Sequence, residues 1–195
     1  KLFITFTCPT THNYYTKQGT RRNYKCKFKN LDECIQESLK LQREVNNYFY
    51  RQLNKYLQRN NQNSADFVRS LEPSKGLVIH SHSIYFIDNK ESIKIAKHIF
   101  KQVKEKFNLK MVDIKVLKDE PVKEDIEIEG YDSVELNQNS QATNYVIKYI
   151  TKTLFVENNQ SEDEKKETTA PFYTEYKRYY SKYRFFSSSK FKNCS

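Results

Sequence analysis

Two histidines separated by one residue are the first candidates for chemistry in this sequence. His80 and His82 lie in the run 78–86, which is rich in β-branched and aromatic residues and therefore predicts a strand. Because side chains alternate across a strand, both imidazoles should face the same side. Two imidazole nitrogens at that spacing can share one divalent cation. The alternative is an ordinary pair of core or surface histidines.

A carboxylate could complete such a site. Glu72 lies eight residues before His80, near a cluster of turn residues at 73–76. The runs 66–72 and 77–88 on either side of this cluster read as two strands, and we expect them to form a hairpin. The hairpin would bring the carboxylate of Glu72 next to the histidine strand.

The register of this hairpin decides which face Glu72 occupies. A three-residue loop at 74–76, with Gly76 in the left-handed conformation, would place Val78 opposite Glu72 and His80 opposite Ser70. Glu72 and His80 would then be diagonal neighbours on one face, within reach of the same ion. A loop of two or four residues would turn Glu72 to the other face.

A second candidate is a stripe of tyrosines and lysines on a predicted helix that starts near residue 139 or 140 and runs to about residue 155. Its members follow the spacing i, i+3, i+4 and i+7 and are Tyr145, Lys148, Tyr149 and Lys152. A phenol with a pKa near 10 is a weak nucleophile at neutral pH, so it needs nearby positive charge or a metal that polarises its target. The alternative is an exposed face whose tyrosines only stack.

The elements that must position these residues follow from hydrophobic periodicity. The pattern predicts, in order, a strand at 2–7, a long helix or two in series ending near 59, the hairpin, a helix over 93–107, a strand at 111–117 and the tyrosine helix. This order indicates an α+β fold in which a central, mostly antiparallel sheet is flanked by helices.

Composition limits the class of protein. The length of 195 residues fits one globular domain. The net charge of +10 suggests a polyanionic partner. No apolar run is long enough for a membrane span, and residues 1–9 lack the apolar core of a signal peptide, so we expect a soluble, intracellular protein. Because the chain opens directly on a strand without an initiator methionine, we interpret it as an excised domain. The four cysteines have unrelated spacings and are interpreted as reduced thiols.

Two segments combine basic and aromatic residues in the way that suits single-stranded nucleic acid. One is a loop or ribbon within residues 10–30 and the other is the C-terminal segment, 172–195. An acidic, flexible linker at 157–171 separates the latter from the domain at 1–156, and the C-terminal segment can pack on that domain or on DNA. The candidate DNA-binding residues are Lys17, Arg21, Arg22, Lys25, Lys27, Lys177, Arg178, Lys182 and Arg184.

Three motifs, taken in order, resemble those of the HUH single-strand endonucleases that initiate rolling-circle replication. The run 2–9, a hydrophobic strand with threonines that ends at a proline, looks like the first motif. His80-Ser81-His82 looks like the HUH motif, although Ser81 replaces the bulky apolar residue usual there. Glu72 matches the acidic third ligand that several branches carry. The sequence YVIKYITK at 145–152 resembles the YxxKYxxK motif of the two-tyrosine group, which is typified by phage gene A proteins.

The resemblance implies an HUH/RRM-like fold with a ferredoxin-like palm, and a Mg²⁺ or Mn²⁺ ion held by His80, His82 and Glu72. It also implies that Tyr145 or Tyr149 attacks the DNA to form a 5′-phosphotyrosine and a free 3′-OH, with Lys148 and Lys152 as electrostatic support. The expected partners are single-stranded DNA of a replication origin and the host's helicase and polymerase, in the cytoplasm of a bacterium that carries the phage or plasmid. No membrane and no small-molecule cofactor is expected.

Two other interpretations remain open at this point. Within the same superfamily, the chain could be a conjugative relaxase or a single-strand transposase. From a different class, it could be a non-catalytic single-stranded nucleic-acid-binding module of RRM-like fold, because such sheets also serve for binding alone. Metal-dependent DNA cleavage separates the enzymes from the binding module.

Overall fold

The fold is described from a computed structural model, which covers residues 1–16, 21–73, 78–87, 89–117 and 186–189. Within these residues, five strands form one sheet with two helices packed against it, so the predicted α+β class is confirmed. The strands are β1 (Leu2–Thr7), β2 (Asp66–Pro73), β3 (Ile79–Phe86), β4 (Val112–Val116) and β5 (Phe186–Ser188). The helices are α1 (Leu31–Arg59) and α2 (Lys90–Lys106), with a short 3₁₀ helix at Thr10–His12.

The strand order is β4-β1-β3-β2-β5, and every described pair is antiparallel. Strands β1 and β2, which are connected through α1, have β3 between them, and β3 and β4, connected through α2, have β1 between them. Two interleaved split β–α–β units of this kind give the ferredoxin-like order. The central position of β1 and β3 explains why both strands consist mostly of buried residues.

Both helices pack on the same face of the sheet. Alternate residues of β1, namely Leu2, Ile4 and Phe6, point to that face and join apolar residues of α1 and α2 in the main core. The core residues of the helices recur at helical spacing, which is why periodicity in the sequence could predict them. The opposite face of the sheet carries the candidate site.

Asparagines mark the ends of both helices. The side chains of Asn30 and Asn89 each accept a hydrogen bond from a backbone N–H in the first turn, as good N-caps do. Glu33 accepts from the N–H of Lys29 at 3.0 Å, which together with the Asn30 cap resembles a capping box whose backbone donor lies one residue earlier than usual. Asn61 and Asn108 follow the helices with φ of 54° and 49°.

The C-terminal part of the described chain adds the edge strand β5, which sequence periodicity did not predict. Its backbone pairs with residues 68–70 of β2, and Ser189 continues the contact by accepting from Phe67 N–H and donating from its own N–H to Phe67 O. Residues 186–189 therefore pack on the sheet. Among the helices that the structure describes, none is both long enough and apolar enough to cross a membrane.

Candidate metal centre

The two candidate histidines share the face of the sheet that lies opposite the helices. In β3, Ile79 and Ser81 are fully buried toward α1, and His80 and His82, which alternate with them, point the other way. The neighbouring strand β1 places Thr7 across from His80 and Thr5 across from His82. The predicted common face of the histidines is confirmed.

Each histidine is hydrogen-bonded through the same ring nitrogen. His82 Nδ1 lies 3.0 Å from the hydroxyl oxygen of Thr5, and His80 Nδ1 lies 2.9 Å from that of Thr7. In the tautomer that carries its hydrogen on Nδ1 and donates it to the hydroxyl, the lone pair of each ring is on Nε2, on the side turned away from the threonine. A metal-binding histidine is commonly oriented by such a bond from its other nitrogen.

The surroundings of His80 favour the form that can bind a metal. Burial lowers the pKa of His80 from its usual value, because a charged imidazolium is poorly solvated there. The ring is therefore neutral at physiological pH, as a metal ligand must be. His82 is also confined, since its ring is stacked on Phe3 with 5.8 Å between centroids.

Glu72 lies on the same face, but in a different register from the one predicted. Glu72 pairs directly with His80 and Ser70 pairs with His82, so the expected pairs of Val78 with Glu72 and His80 with Ser70 are wrong. The ladder continues to Pro73 and Ile79, which leaves five connecting residues instead of three. Because orientation alternates with a period of two, lengthening the loop by two residues keeps Glu72 on the predicted face.

The carboxylate of Glu72 reaches toward His82. Oε2 of Glu72 lies 4.0 Å from Nε2 of His82, and both side chains are largely buried. Burying a carboxylate and two imidazoles on a sheet face has a solvation cost that apolar residues would avoid. Such a cluster is a candidate functional site for that reason.

The distance between these two atoms is compatible with a shared cation. Ligands of Mg²⁺ lie about 2.1 Å from the ion, so two of them are about 3 Å apart when adjacent and about 4.2 Å apart when opposite. The observed 4.0 Å is close to the second of these values. As the side chains stand, the described residues contain no group of three His, Cys, Asp or Glu gathered closely enough to hold a metal. All three predicted ligands already share one face of the sheet. Rotation of their side chains, without a change in the backbone, would therefore be needed to bring them around one ion.

A buried polar network supports the histidine strand from the helix side. The amide of Asn46 in α1 donates to Ser81 Oγ at 2.9 Å and its carbonyl oxygen lies within 3.4 Å of both Ser81 and Ser83 hydroxyls. Gln42, one turn earlier, donates to the backbone carbonyls of Phe6 and Ile79. Ser81 thus fits its position because α1 supplies a polar partner instead of an apolar contact.

The structure describes part of the basic loop within residues 10–30. The four candidate DNA-binding residues in that part have two different roles. Arg22 is an internal organiser, since its guanidinium donates to Tyr14 Oη and to the carbonyls of Phe28 and Lys29 at 2.7–2.8 Å. Arg21, Lys25 and Lys27 are exposed. The ammonium groups of Lys25 and Lys27 lie over the rings of Tyr24 and Phe28.

The remaining candidates lie outside the described residues, as do the tyrosine helix and the linker. These candidates are Lys17, Tyr145, Lys148, Tyr149, Lys152, Lys177, Arg178, Lys182 and Arg184. Sequence reasoning missed the roles of Thr5 and Thr7, although the alternation of threonines in β1 carried the signal. No protein-family model, no curated protein and no solved structure matches this chain.

Proposed function

We propose that the protein is a metal-dependent, site-specific endonuclease and strand transferase that nicks single-stranded DNA at a replication origin and so initiates rolling-circle replication. The observation that carries the proposal is the arrangement on the face of the sheet opposite the two helices. Thr5 and Thr7 hold the Nδ1 atoms of His82 and His80, and Glu72 reaches toward the Nε2 atom of His82. This is a His₂Glu donor set suited to a divalent cation.

In this proposal His80, His82 and Glu72 hold Mg²⁺ or Mn²⁺, which supplies Lewis acidity at the scissile phosphate. The phenol of Tyr145 or Tyr149 forms an Oη–P bond while the P–O3′ bond breaks, and the phenolic proton is transferred to O3′. The products are a 5′-phosphotyrosine and a 3′-OH that can prime synthesis. Lys148 and Lys152 stabilise the negative charge that develops on the phenol or the phosphate.

The basic loop supplies binding in the same proposal. Arg21, Lys25 and Lys27 present positive charge to phosphates, and the exposed ring of Tyr24 offers a surface for base stacking. Arg22 fixes the shape of the loop through its bonds to the backbone. The substrate must be single-stranded, or locally melted, because the scissile phosphate has to approach the sheet unpaired.

Cleavage of labelled single-stranded oligonucleotides tests the proposal. We expect an oligonucleotide that contains a plus-strand origin hairpin to be nicked with Mn²⁺ and left intact with EDTA, and we expect a polymerase to extend the new 3′-OH. His80→Ala and His82→Ala should each abolish cleavage, whereas His98→Ala, at an exposed histidine of α2, should leave it unchanged.

The same assay separates the alternatives. Preferential cleavage of a transfer origin would identify a relaxase instead of a replication initiator. Binding without cleavage across all substrates and metals would favour the non-catalytic binding module. Cleavage that survives the double change His80→Ala/His82→Ala would contradict the metal centre itself.

A further inference from the structure

Two thiols meet where the basic loop joins the first turn of α1, away from the residues used in the proposed reaction. The Sγ atoms of Cys26 and Cys34 are 3.9 Å apart, with the thiol of Cys26 directed at Cys34. Cys34 is buried and donates to the carbonyl of His12 at 3.1 Å. Cys26 is half-buried and belongs to the loop.

The separation of the two sulfurs is close to what a covalent bond requires. A disulfide joins its sulfurs at about 2.05 Å, so the pair has to close by about 1.9 Å. Cys34 is fixed in the helix, whereas Cys26 lies on a loop whose neighbours on both sides, Lys25 and Lys27, are exposed. A movement of the Cys26 side chain by about that distance would bring the two sulfurs together.

We propose that Cys26 and Cys34 are a redox modification site, a dithiol that a peroxide oxidises to an intramolecular disulfide. The bond would tie the basic loop at 21–29 to the first turn of α1. This inference stands apart from the metal centre and from the tyrosines, and it holds or fails independently of the proposed nuclease activity.

The chemistry balances with one equivalent of hydrogen peroxide. The Cys26 thiolate attacks a peroxide oxygen, the O–O bond breaks, and the leaving hydroxide takes up a proton to form water. The Cys34 thiolate then attacks the sulfur of the Cys26 sulfenic acid, the S–S bond forms as the S–O bond breaks, and the displaced hydroxide takes up a proton to form the second water. Two sulfurs together lose two electrons, which the peroxide gains.

The environment orders the two steps. Cys26 is the more accessible thiol, so it meets the oxidant first. Burial and the neighbouring Cys26 raise the pKa of Cys34 to about 12, so the resolving thiolate is scarce at neutral pH. Ring closure should therefore accelerate as the pH rises.

The third described thiol is an internal control. Cys8 is buried, its Sγ lies 3.6 Å from the carbonyl of Ser38, and burial raises its pKa to about 12. It belongs to the small core cluster around Ile35, Leu39 and Ile79. We expect Cys8 to remain a thiol under conditions that oxidise the other pair.

Peptide mapping of the oxidised protein tests the inference. The full chain, carrying Cys194→Ser to prevent links to that thiol, is treated with hydrogen peroxide, alkylated and digested with trypsin without reduction. We expect residues 26–27 and 30–40 to appear as one linked peptide that a reductant separates. Cys8→Ser should leave this product unchanged, and Cys26→Ser should abolish it.

Hydrogen exchange tests the mechanical consequence. Amides of residues 21–29 should exchange several-fold more slowly in the oxidised protein than in the reduced one, with no such change in the Cys26→Ser variant. A native protein that yields no linked peptide, or one in which Cys8 is joined to Cys34, would overturn the modification site. If the disulfide forms but the amides of residues 21–29 exchange as fast as in the reduced protein, the proposed restraint of the loop by α1 would be overturned.

Discussion

Two threonine hydroxyls determine how the candidate histidines present their rings. Without a partner, an imidazole on a strand can rotate and exchange tautomers. Here the hydroxyls of Thr5 and Thr7 each meet Nδ1 of the histidine across from them, within 3.0 Å. The strand β1 therefore orients both rings, which is the role that outer partners of metal-binding histidines have in other proteins.

This arrangement predicts that the threonines tune metal affinity. Thr5→Val and Thr7→Val keep the shape of the side chain but remove the hydrogen bond, and we expect each to weaken Mn²⁺ binding by about 10- to 100-fold. Isothermal titration calorimetry measures the effect. Thr5→Ser and Thr7→Ser retain the hydroxyl and should bind nearly as well as the wild type. Equal affinity in the valine and serine variants would show that the hydroxyls do not orient the rings.

A buried histidine outside the candidate site predicts how stability depends on pH. Burial, and secondarily the charge of Lys27, lower the pKa of His12 to about 4. An unfolded chain takes up this proton near pH 6.5, so the unfolded state binds more protons than the folded state between about pH 6.5 and 4. The contribution of His12 to the free energy of unfolding is complete above pH 6.5 and is lost as the pH falls toward 4.

Urea unfolding at pH values from 4 to 8 measures this dependence. We expect the wild type to lose on the order of 1 kcal/mol per pH unit from this group over that window. His12→Gln removes the titrating group and should flatten the acid side of the curve. A residual slope is expected from His80, whose pKa burial also lowers. An unchanged slope in His12→Gln would contradict the assignment.

The contact between α1 and β3 is polar at its centre, and this explains the serine between the two histidines. Ser81 and Ser83 point toward the helix, and both meet the side chain of Asn46, which is itself buried. Buried hydroxyls and amides are tolerated when they bond to one another. The strand that carries the histidines is thus held in a fixed position against the helix by hydrogen bonds as well as by apolar packing.

A double-mutant cycle tests this network. Asn46→Ala leaves the buried hydroxyl of Ser81 without its side-chain partner, whereas Ser83 still accepts from Arg69, and the change should lower the free energy of unfolding by about 2 kcal/mol. Ser81→Ala should cost less in an Asn46→Ala background than in the wild type, because the shared bond is already gone. A coupling energy of about 1 kcal/mol is expected from urea unfolding, and additive effects would contradict the network.

Periodicity in the sequence predicted most of the elements but not their exact pairing. Strand β1, helices α1 and α2 and the β2–β3 hairpin carry strong patterns of alternation or helical spacing, and these predictions were correct. The hairpin register was wrong because its loop length depends on where the ladder ends, which residue types at 73–76 do not specify. The short strand β5 was missed because its pairing with β2 is a contact between residues far apart in sequence.

The candidate site was predictable to the extent that it rests on local rules. The common face of His80, His82 and Glu72 follows from a period of two, and that feature survived the change in register. The contacts of Thr5 and Thr7 depend on which strand lies beside β3, which only the tertiary structure provides. The tyrosine stripe stays a prediction, since 145–152 lie outside the described residues.

In the molecule as a whole, the helices and the candidate metal ligands lie on opposite faces of the sheet. The helices cover one face of the sheet, and the histidines and Glu72 occupy the other. The net charge of +10 includes an exposed group on the basic loop, formed by Arg21, Lys25 and Lys27. If this loop binds single-stranded DNA, removing its three positive charges should weaken DNA binding in a salt-dependent manner.

Binding measured by fluorescence anisotropy over a range of salt concentrations tests the loop. The triple change Arg21→Ala/Lys25→Ala/Lys27→Ala should reduce affinity and lower the slope of log affinity against log salt by about 2, at roughly 0.7 per phosphate contact on a single strand. A matched control removes the same charge from α2 through Lys94→Ala/Lys97→Ala/Lys101→Ala, all exposed. Equal losses in the two variants would show that only net charge matters.

The most direct test of the proposed function is a covalent protein–DNA adduct on a denaturing gel. With Mn²⁺ and an origin-derived single strand labelled on its 3′ side, we expect the wild-type protein to shift to a species that carries the label, and EDTA to prevent it. The double change Tyr145→Phe/Tyr149→Phe should abolish the adduct while the metal centre stays intact. Absence of any adduct from the wild type across several origin sequences, or an adduct that persists in the double variant, would contradict the account.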